Sequence, residues 1–122
     1  MDKAAVTTWL ERYVAAWKSY DEGDIGDLFS DDAEYRYHPY DEAVRGRANI
    51  VASWLEDVDA PGTYDGHYEP IAVDGHVAVA TGTSNYKGAD GSVERTYHNA
   101  YIMRFDGEGR CSSFTEWFML QP

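Results

Sequence analysis

The chain has 122 residues and carries 22 Asp plus Glu against 10 Lys plus Arg, for a formal net charge of −12, with 10 Tyr, 4 Trp and 4 Phe. That apolar mass suffices for one packed core over residues 1–122 and excludes acidic disorder, which is poor in rings. The acidic balance argues against duplex nucleic acid as a partner, because phosphate contacts need Lys and Arg. No apolar run near 18 residues and no signal-type h-region occurs, so neither a membrane span nor export by that route is expected. A single Cys111 excludes an internal disulfide and fits a reducing cytoplasm.

Asp2 to Asp21 reads as a helix, with Trp9, Tyr13, Trp17 and Tyr20 recurring on one face. Thr8 with Glu11 has capping-box spacing, and Asp2 is an equally good cap that gives a longer helix. A short amphipathic turn over 24–29 follows, with Asp24 as its cap and Ser30-Asp31-Asp32 as its end. Ala33 to His38 is a Tyr-rich strand stopped by Pro39. Arg47 to Val58 is a second long helix, with Ile50, Val51, Trp54, Leu55 and Val58 as its stripe and Pro61-Gly62 as its stop.

From Thr63 the pattern has period two. Tyr64 to Val73 and His76 to Lys87 form a hairpin through Asp74-Gly75, a type I′ signal. Ala89-Asp90-Gly91 leads into a long strand, Val93 to Asp106, and Gly107-Glu108-Gly109 into a last one, Cys111 to Leu120. Helices followed by an antiparallel meander make an α+β domain, with the helices on one face of a curved sheet. The other face needs cover where it is apolar, and a second copy of the chain can supply it.

This order of elements resembles the nuclear transport factor 2 superfamily, which includes ketosteroid isomerases, scytalone dehydratase and SnoaL-like polyketide cyclases. The strings Arg12-Tyr13-Val14-Ala15-Ala16, Leu28-Phe29-Ser30-Asp31-Asp32-Ala33 and Arg104-Phe105-Asp106-Gly107 carry the resemblance. It implies a cone-shaped, cystatin-like sheet with N-terminal helices on its concave face, a pocket between them, no cofactor, and a homodimer through the convex face. It does not imply one activity, because the scaffold hosts isomerases, dehydratases, cyclases and non-enzymes.

Carried over residue by residue, the resemblance is partial. Tyr13 falls where ketosteroid isomerases have their oxyanion-hole Tyr, but His38 before Pro39 replaces their catalytic Asp, and Tyr101 replaces their protonated Asp. Steroid isomerisation by that mechanism is therefore not expected. Tyr20-Asp21, His67 and Asn99 resemble pocket positions of scytalone dehydratase, whose second catalytic His is replaced in the stretch Ser84-Asn85-Tyr86.

Alternation puts Tyr97, Asn99, Tyr101 and Met103 on one face of the long strand, and Phe114, Glu116 and Phe118 on one face of the last. The resemblance turns both sets inward. Glu116 between two Phe residues is then a carboxyl whose pKa burial would raise, a candidate general acid or base; its bland alternative is a pair with Arg36 or Arg95. Tyr13 and Tyr101 can donate to an oxyanion, and His38 can move a proton near neutral pH. Trp17, Tyr20, Asp21, Tyr37, Trp54, His67, Asn99, Phe114 and Phe118 complete the set as ligand contacts, although the Trp9-Tyr13-Trp17-Tyr20 stripe also serves as plain core. The four His residues lack metal-site spacing. The expected function is binding of a small hydrophobic or aromatic carbonyl compound, with cofactor-free isomerisation, dehydration or cyclisation; the alternative is a non-catalytic ligand-binding or dimeric interaction domain that has lost enzyme activity.

Overall fold

Asp2 starts the first helix in the computed structural model, which describes residues 1–122. Its carboxylate accepts the Ala5 N–H at 2.8 Å and caps α1, Lys3–Ser19. Thr8 donates its hydroxyl to the Ala4 carbonyl instead, which settles the choice of cap. At the far end Tyr20 takes a left-handed φ of 52°, and its N–H closes on the Ala16 carbonyl.

Four boundaries differ from those read in the sequence, one of them the end of β1, which stops at Arg36 and leaves Tyr37 and His38 beyond the strand. The second helix, α2, is Glu22–Gly26, earlier than the expected 24–29, because Asp21 rather than Asp24 is its cap and accepts the Asp24 N–H at 2.9 Å. Ser30-Asp31-Asp32 does not form a turn. It lies within β1, Phe29–Arg36, where an irregular register against the neighbouring strand leaves both Asp residues in solvent. The third helix, α3, is Arg47–Trp54 and stops four residues before Val58. Glu56 and Asp57 would load negative charge onto its carbonyl end. Asp59 is also drawn away, its carboxylate accepting from the Tyr20 hydroxyl and its N–H donating to it, both at 3.1 Å. A short strand β2, Val44–Arg45, escaped the sequence reading because two residues show no period.

The remaining strands match expectation closely: β3, Tyr64–Asp74; β4, Val77–Lys87; β5, Val93–Phe105; β6, Cys111–Leu120. The β3–β4 loop is Gly75-His76, one residue later than expected. Only Gly75 has positive φ, at 60°, the pattern of a type II′ rather than a type I′ turn. The six strands form one curved, unclosed sheet in the order β2-β1-β6-β5-β4-β3, and β1 runs parallel to β6 while every other pair is antiparallel.

Rings fill the concave face. Tyr35 stacks on Phe114 at 4.7 Å between centroids, and Trp17 on Trp54 at 3.9 Å. The Trp9 indole N–H is satisfied by the Leu28 carbonyl at 3.0 Å, which ties α1 to the start of β1. Small residues on β4, Ala78, Ala80 and Ser84, leave space for these rings. Gly82 goes further, since a Cβ there would overlap the Tyr68 ring and the His67 carbonyl. No helix is long and apolar enough to cross a membrane.

Candidate functional site

The cone is nearly filled, and what remains open is a pair of connected chambers. The outer one, about 380 Å³, is walled by Trp17, Tyr37, Tyr86, Tyr97 and Phe118, with Asp57, Asp59 and Arg95 at its rim. The inner one, about 60 Å³, is walled by Tyr13, Tyr64, Tyr68 and Tyr101. Trp17, Ser84, Tyr86 and Glu116 border both. A wider groove, about 950 Å³, crosses the convex face over Thr81, His98, Ala100, Trp117 and Met119. It is the larger space and also borders His38, Asn99 and Glu116, but it is an open sheet surface, whereas the chambers enclose Glu116 and Asn99 among rings.

Glu116 stands where the chambers meet. Burial pushes its carboxyl up to about 7, against a hydrogen bond from Asn99 and the charge of His38, which pull it down. Asn99 Nδ2 donates to its Oε2 at 2.8 Å, whereas Oε1 accepts from no protein group. Neither Arg36 nor Arg95 pairs with it: Arg36 reaches Glu34 at 3.5 Å, and the Arg95 guanidinium lies over the Tyr86 ring at 4.8 Å.

Behind Asn99 runs a file of hydroxyls. Ser84 Oγ donates to Asn99 Oδ1 at 2.9 Å, Tyr68 meets Ser84 at 2.5 Å, and Tyr64 meets Tyr68 at 2.8 Å. Gly66 makes the last contact feasible, because a Cβ there would overlap both Tyr hydroxyls. Burial raises the Tyr13, Tyr35 and Tyr101 phenols well above the ordinary range, so all three stay neutral donors. The Tyr13 and Tyr35 hydroxyls hydrogen-bond each other at 3.2 Å. The Tyr101 hydroxyl interacts with that of Tyr68, and Tyr101 borders the inner chamber.

The profile of the SnoaL-like domain matches residues 10–114, from α1 through the first residues of β6. The chain belongs to the SnoaL-like family. It is also similar to an NTF-2-like protein of unknown function from Burkholderia xenovorans LB400, with 21% identity over 94% of this chain and 83% of that one, and a TM-score of 0.70. At that identity the likeness concerns the fold. A search of curated proteins returned no match.

Within this SnoaL-like domain the expected residues separate into groups. Tyr13, Tyr101 and Glu116 border the inner chamber, and Trp17, Tyr37, Asn99 and Phe118 border the outer one. His38 sits at the edge, its ring against Phe118 at 5.2 Å and Tyr40 at 5.1 Å, and its Nδ1 held by Asp41 at 2.8 Å rather than by Glu116. Tyr20 does not line a chamber but fastens the rim through Asp59.

Besides Tyr20, four placements depart from the sequence reading. Asp21 caps α2 from the surface. His67 has strand parity opposite to Tyr68 and bonds Glu69 at 3.0 Å, outside the cone. Trp54 and Phe114 are fully buried behind the walls, so they shape the chambers without bordering them.

Ser84, Tyr64, Tyr68, Tyr86 and Arg95 were not expected from the sequence to line the site. Period two did carry part of that signal, since Ser84 shares a face of β4 with Gly82 and Tyr86, and Tyr64 shares a face of β3 with Gly66 and Tyr68. Of the stretch Ser84-Asn85-Tyr86, which stands in place of the dehydratase His, Ser84 and Tyr86 turn inward.

Proposed function

We propose that this SnoaL-like domain binds a small, planar, mostly apolar carbonyl compound in the outer chamber and moves a proton beside that carbonyl through Glu116. One observation carries the reading: a carboxyl raised to about 7, with one oxygen held by Asn99 and the other free where two ring-walled chambers meet. An acid with that pKa is partly ionised at neutral pH and can both take and return a proton. The 380 Å³ outer chamber lies at the small end of ordinary ligand sites, about 300–1,000 Å³.

In this reading a C–H next to the carbonyl gives its proton to Glu116 Oε1. With the carbonyl oxygen turned into the inner chamber, the Tyr101 O–H donates to the enolate oxygen that forms there, and the proton returns at a new position or follows a leaving hydroxyl. The steps give isomerisation or dehydration with no cofactor; attack of the enolate carbon on a second carbonyl gives cyclisation. Tyr13, bonded to Tyr35, backs the inner wall, and His38 holds positive charge at the edge when protonated.

A binding-only reading has its own support: the hydroxyls of Tyr13, Tyr35, Tyr64, Tyr68 and Ser84 satisfy one another, which leaves few groups to meet a substrate. A thermal-shift screen of aromatic and bicyclic ketones against the wild type and Glu116→Gln separates the cases. Stabilisation of both proteins, with proton exchange at the ligand carbon only in the wild type, supports catalysis. Stabilisation without exchange leaves binding alone, and no stabilisation by any compound overturns the pocket reading.

A second copy of the chain is the proposed cover for the convex face. Ile102 and Trp117 are each 41% exposed there and Met119 is 73% exposed, an apolar patch of the kind that marks association. Sedimentation of the wild type as a dimer and of Trp117→Asp as a monomer would support this; a monomeric wild type would refute it.

A further inference from the structure

Glu116 is held by an amide, and an amide can present either of two faces. If Asn99 were turned over, Oδ1 would meet Glu116 Oε2, two acceptors with no hydrogen between them unless the carboxyl were protonated. The orientation that suits the carboxylate puts Nδ2 on Glu116 at 2.8 Å and Oδ1 on the Ser84 hydroxyl at 2.9 Å. Ser84 is itself buried, 5% exposed, and so is Asn99, at 6%. Water therefore offers little substitute for either partner.

Direction follows along the rest of the file. Because Ser84 donates its one proton to Asn99, its oxygen accepts from Tyr68, and Tyr68 in turn accepts from Tyr64. All the donors point toward Glu116. The amide interrupts proton transfer, since Asn99 gains and loses none, so the file polarises Glu116 without delivering protons to it.

We infer that Ser84 is a positioning residue: the Glu116 carboxylate sets which way the amide faces, and Ser84, by donating to Asn99 Oδ1, anchors its far end so that Nδ2 holds Glu116 Oε2 and Oε1 is left open to a ligand. The inference rests on the acid–base reading of Glu116 given above and adds to it the residue that sets how the base is presented. Without the Ser84 hydroxyl neither orientation of the amide satisfies both its ends. The Asn99–Glu116 bond then loses its support, and the carboxylate loses the interaction that opposes its burial.

Other groups that face Glu116 do not replace that bond. Tyr13 from α1, Tyr35 from β1, Tyr37 following β1, Tyr68 from β3 and Tyr86 from β4 are neutral phenols at the pH values that matter. Asp57, Asp59 and Arg95 stand at the rim of the outer chamber without bonding to Glu116. Tyr101 from β5 is neutral as well, and His38 acts only through its charge and is bonded to Asp41.

The test is a carbon-13 NMR titration of the Glu116 side-chain carboxyl in the ligand-free protein, for the wild type, Ser84→Ala, Ser84→Thr and Asn99→Ala. A charge-assisted hydrogen bond supports a shift of roughly one unit. Asn99→Ala should raise the midpoint by about that much, Ser84→Ala by about half of it, and Ser84→Thr, which restores a hydroxyl, should return it to the wild-type value. Midpoints for Ser84→Ala and Ser84→Thr that both equal the wild type would overturn the inference. So would a rise in Ser84→Ala that Ser84→Thr fails to reverse, since packing rather than the hydroxyl would then be responsible. Ligand binding and exchange at the ligand carbon are read separately in the unmodified protein, so failure of the acid–base reading is told apart from failure of the file.

Discussion

Replacing Glu116 by Gln should make the protein more stable at neutral and alkaline pH and no different in acid. The perturbation is small in shape: the Gln carbonyl oxygen can still accept from Asn99 Nδ2, and its amide nitrogen takes the place of the open Oε1. Burial lifts the folded-state pKa of Glu116 from an ordinary 4.5 to about 7. Between those values the folded protein retains a proton that the unfolded chain has released, so the stability contributed by the neutral carboxyl is present below 4.5 and lost as pH rises toward 7.

At 1.36 kcal/mol per unit that rise amounts to about 3 kcal/mol, all of it absent from the Gln variant. Urea unfolding of both proteins at intervals from about pH 4 to about pH 8 measures it, and the difference between them cancels the titration of every other carboxylate. The two should coincide near pH 4 and diverge to about 3 kcal/mol by pH 8, or roughly 10 °C in Tm for a domain of this size. Curves that stay parallel over the whole range would refute the reasoning, because Glu116 would then titrate as an exposed carboxyl does.

Gly66→Ala should cost about 1–3 kcal/mol in chemical unfolding, since the new methyl must displace the Tyr64–Tyr68 hydroxyl pair; an unchanged midpoint would mean the pair is slack. Trp9→Phe should cost about 1–3 kcal/mol by leaving the Leu28 carbonyl without its buried donor. Lys18→Ala should cost less than about 1 kcal/mol, because the Lys18–Asp65 pair at 2.8 Å is half exposed at both ends. Cys111, fully buried with its thiol pushed up to about 12, should react with a thiol reagent at the rate of unfolding; rapid labelling of the native protein would contradict its burial.

Much of the fold was legible because it depends on local patterns. The limits of β3 to β6 followed from period two and from Gly-containing turns; parity divided β5 and β6 into faces, and the family resemblance turned the face with Glu116, Asn99 and Tyr101 inward. Features that rest on partners distant in sequence were not legible. The early end of α3 depends on Tyr20 reaching Asp59, 39 residues on, and the start of β1 at Phe29, ahead of Ser30-Asp31-Asp32, depends on pairing with Cys111 near the C-terminus. His67 was assigned inward by resemblance, while the parity of β3, anchored by the buried Tyr64 and Tyr68, turns it out. Ser84 was invisible as a functional residue because a serine acquires that meaning only through what its hydroxyl touches.

The central claim is that Glu116 exchanges protons with a carbonyl ligand in the chamber, and deuterium incorporation at the carbon beside the ligand carbonyl, followed by proton NMR in heavy water, tests it most directly. For a compound that stabilises the protein, the exchange rate should rise with pH through about 7 as the carboxylate base forms and then level off. It should also fall by roughly 100-fold or more in Glu116→Gln, the usual scale for loss of a general base. A rate that is flat across that range, or one that the Gln variant retains, would contradict the account.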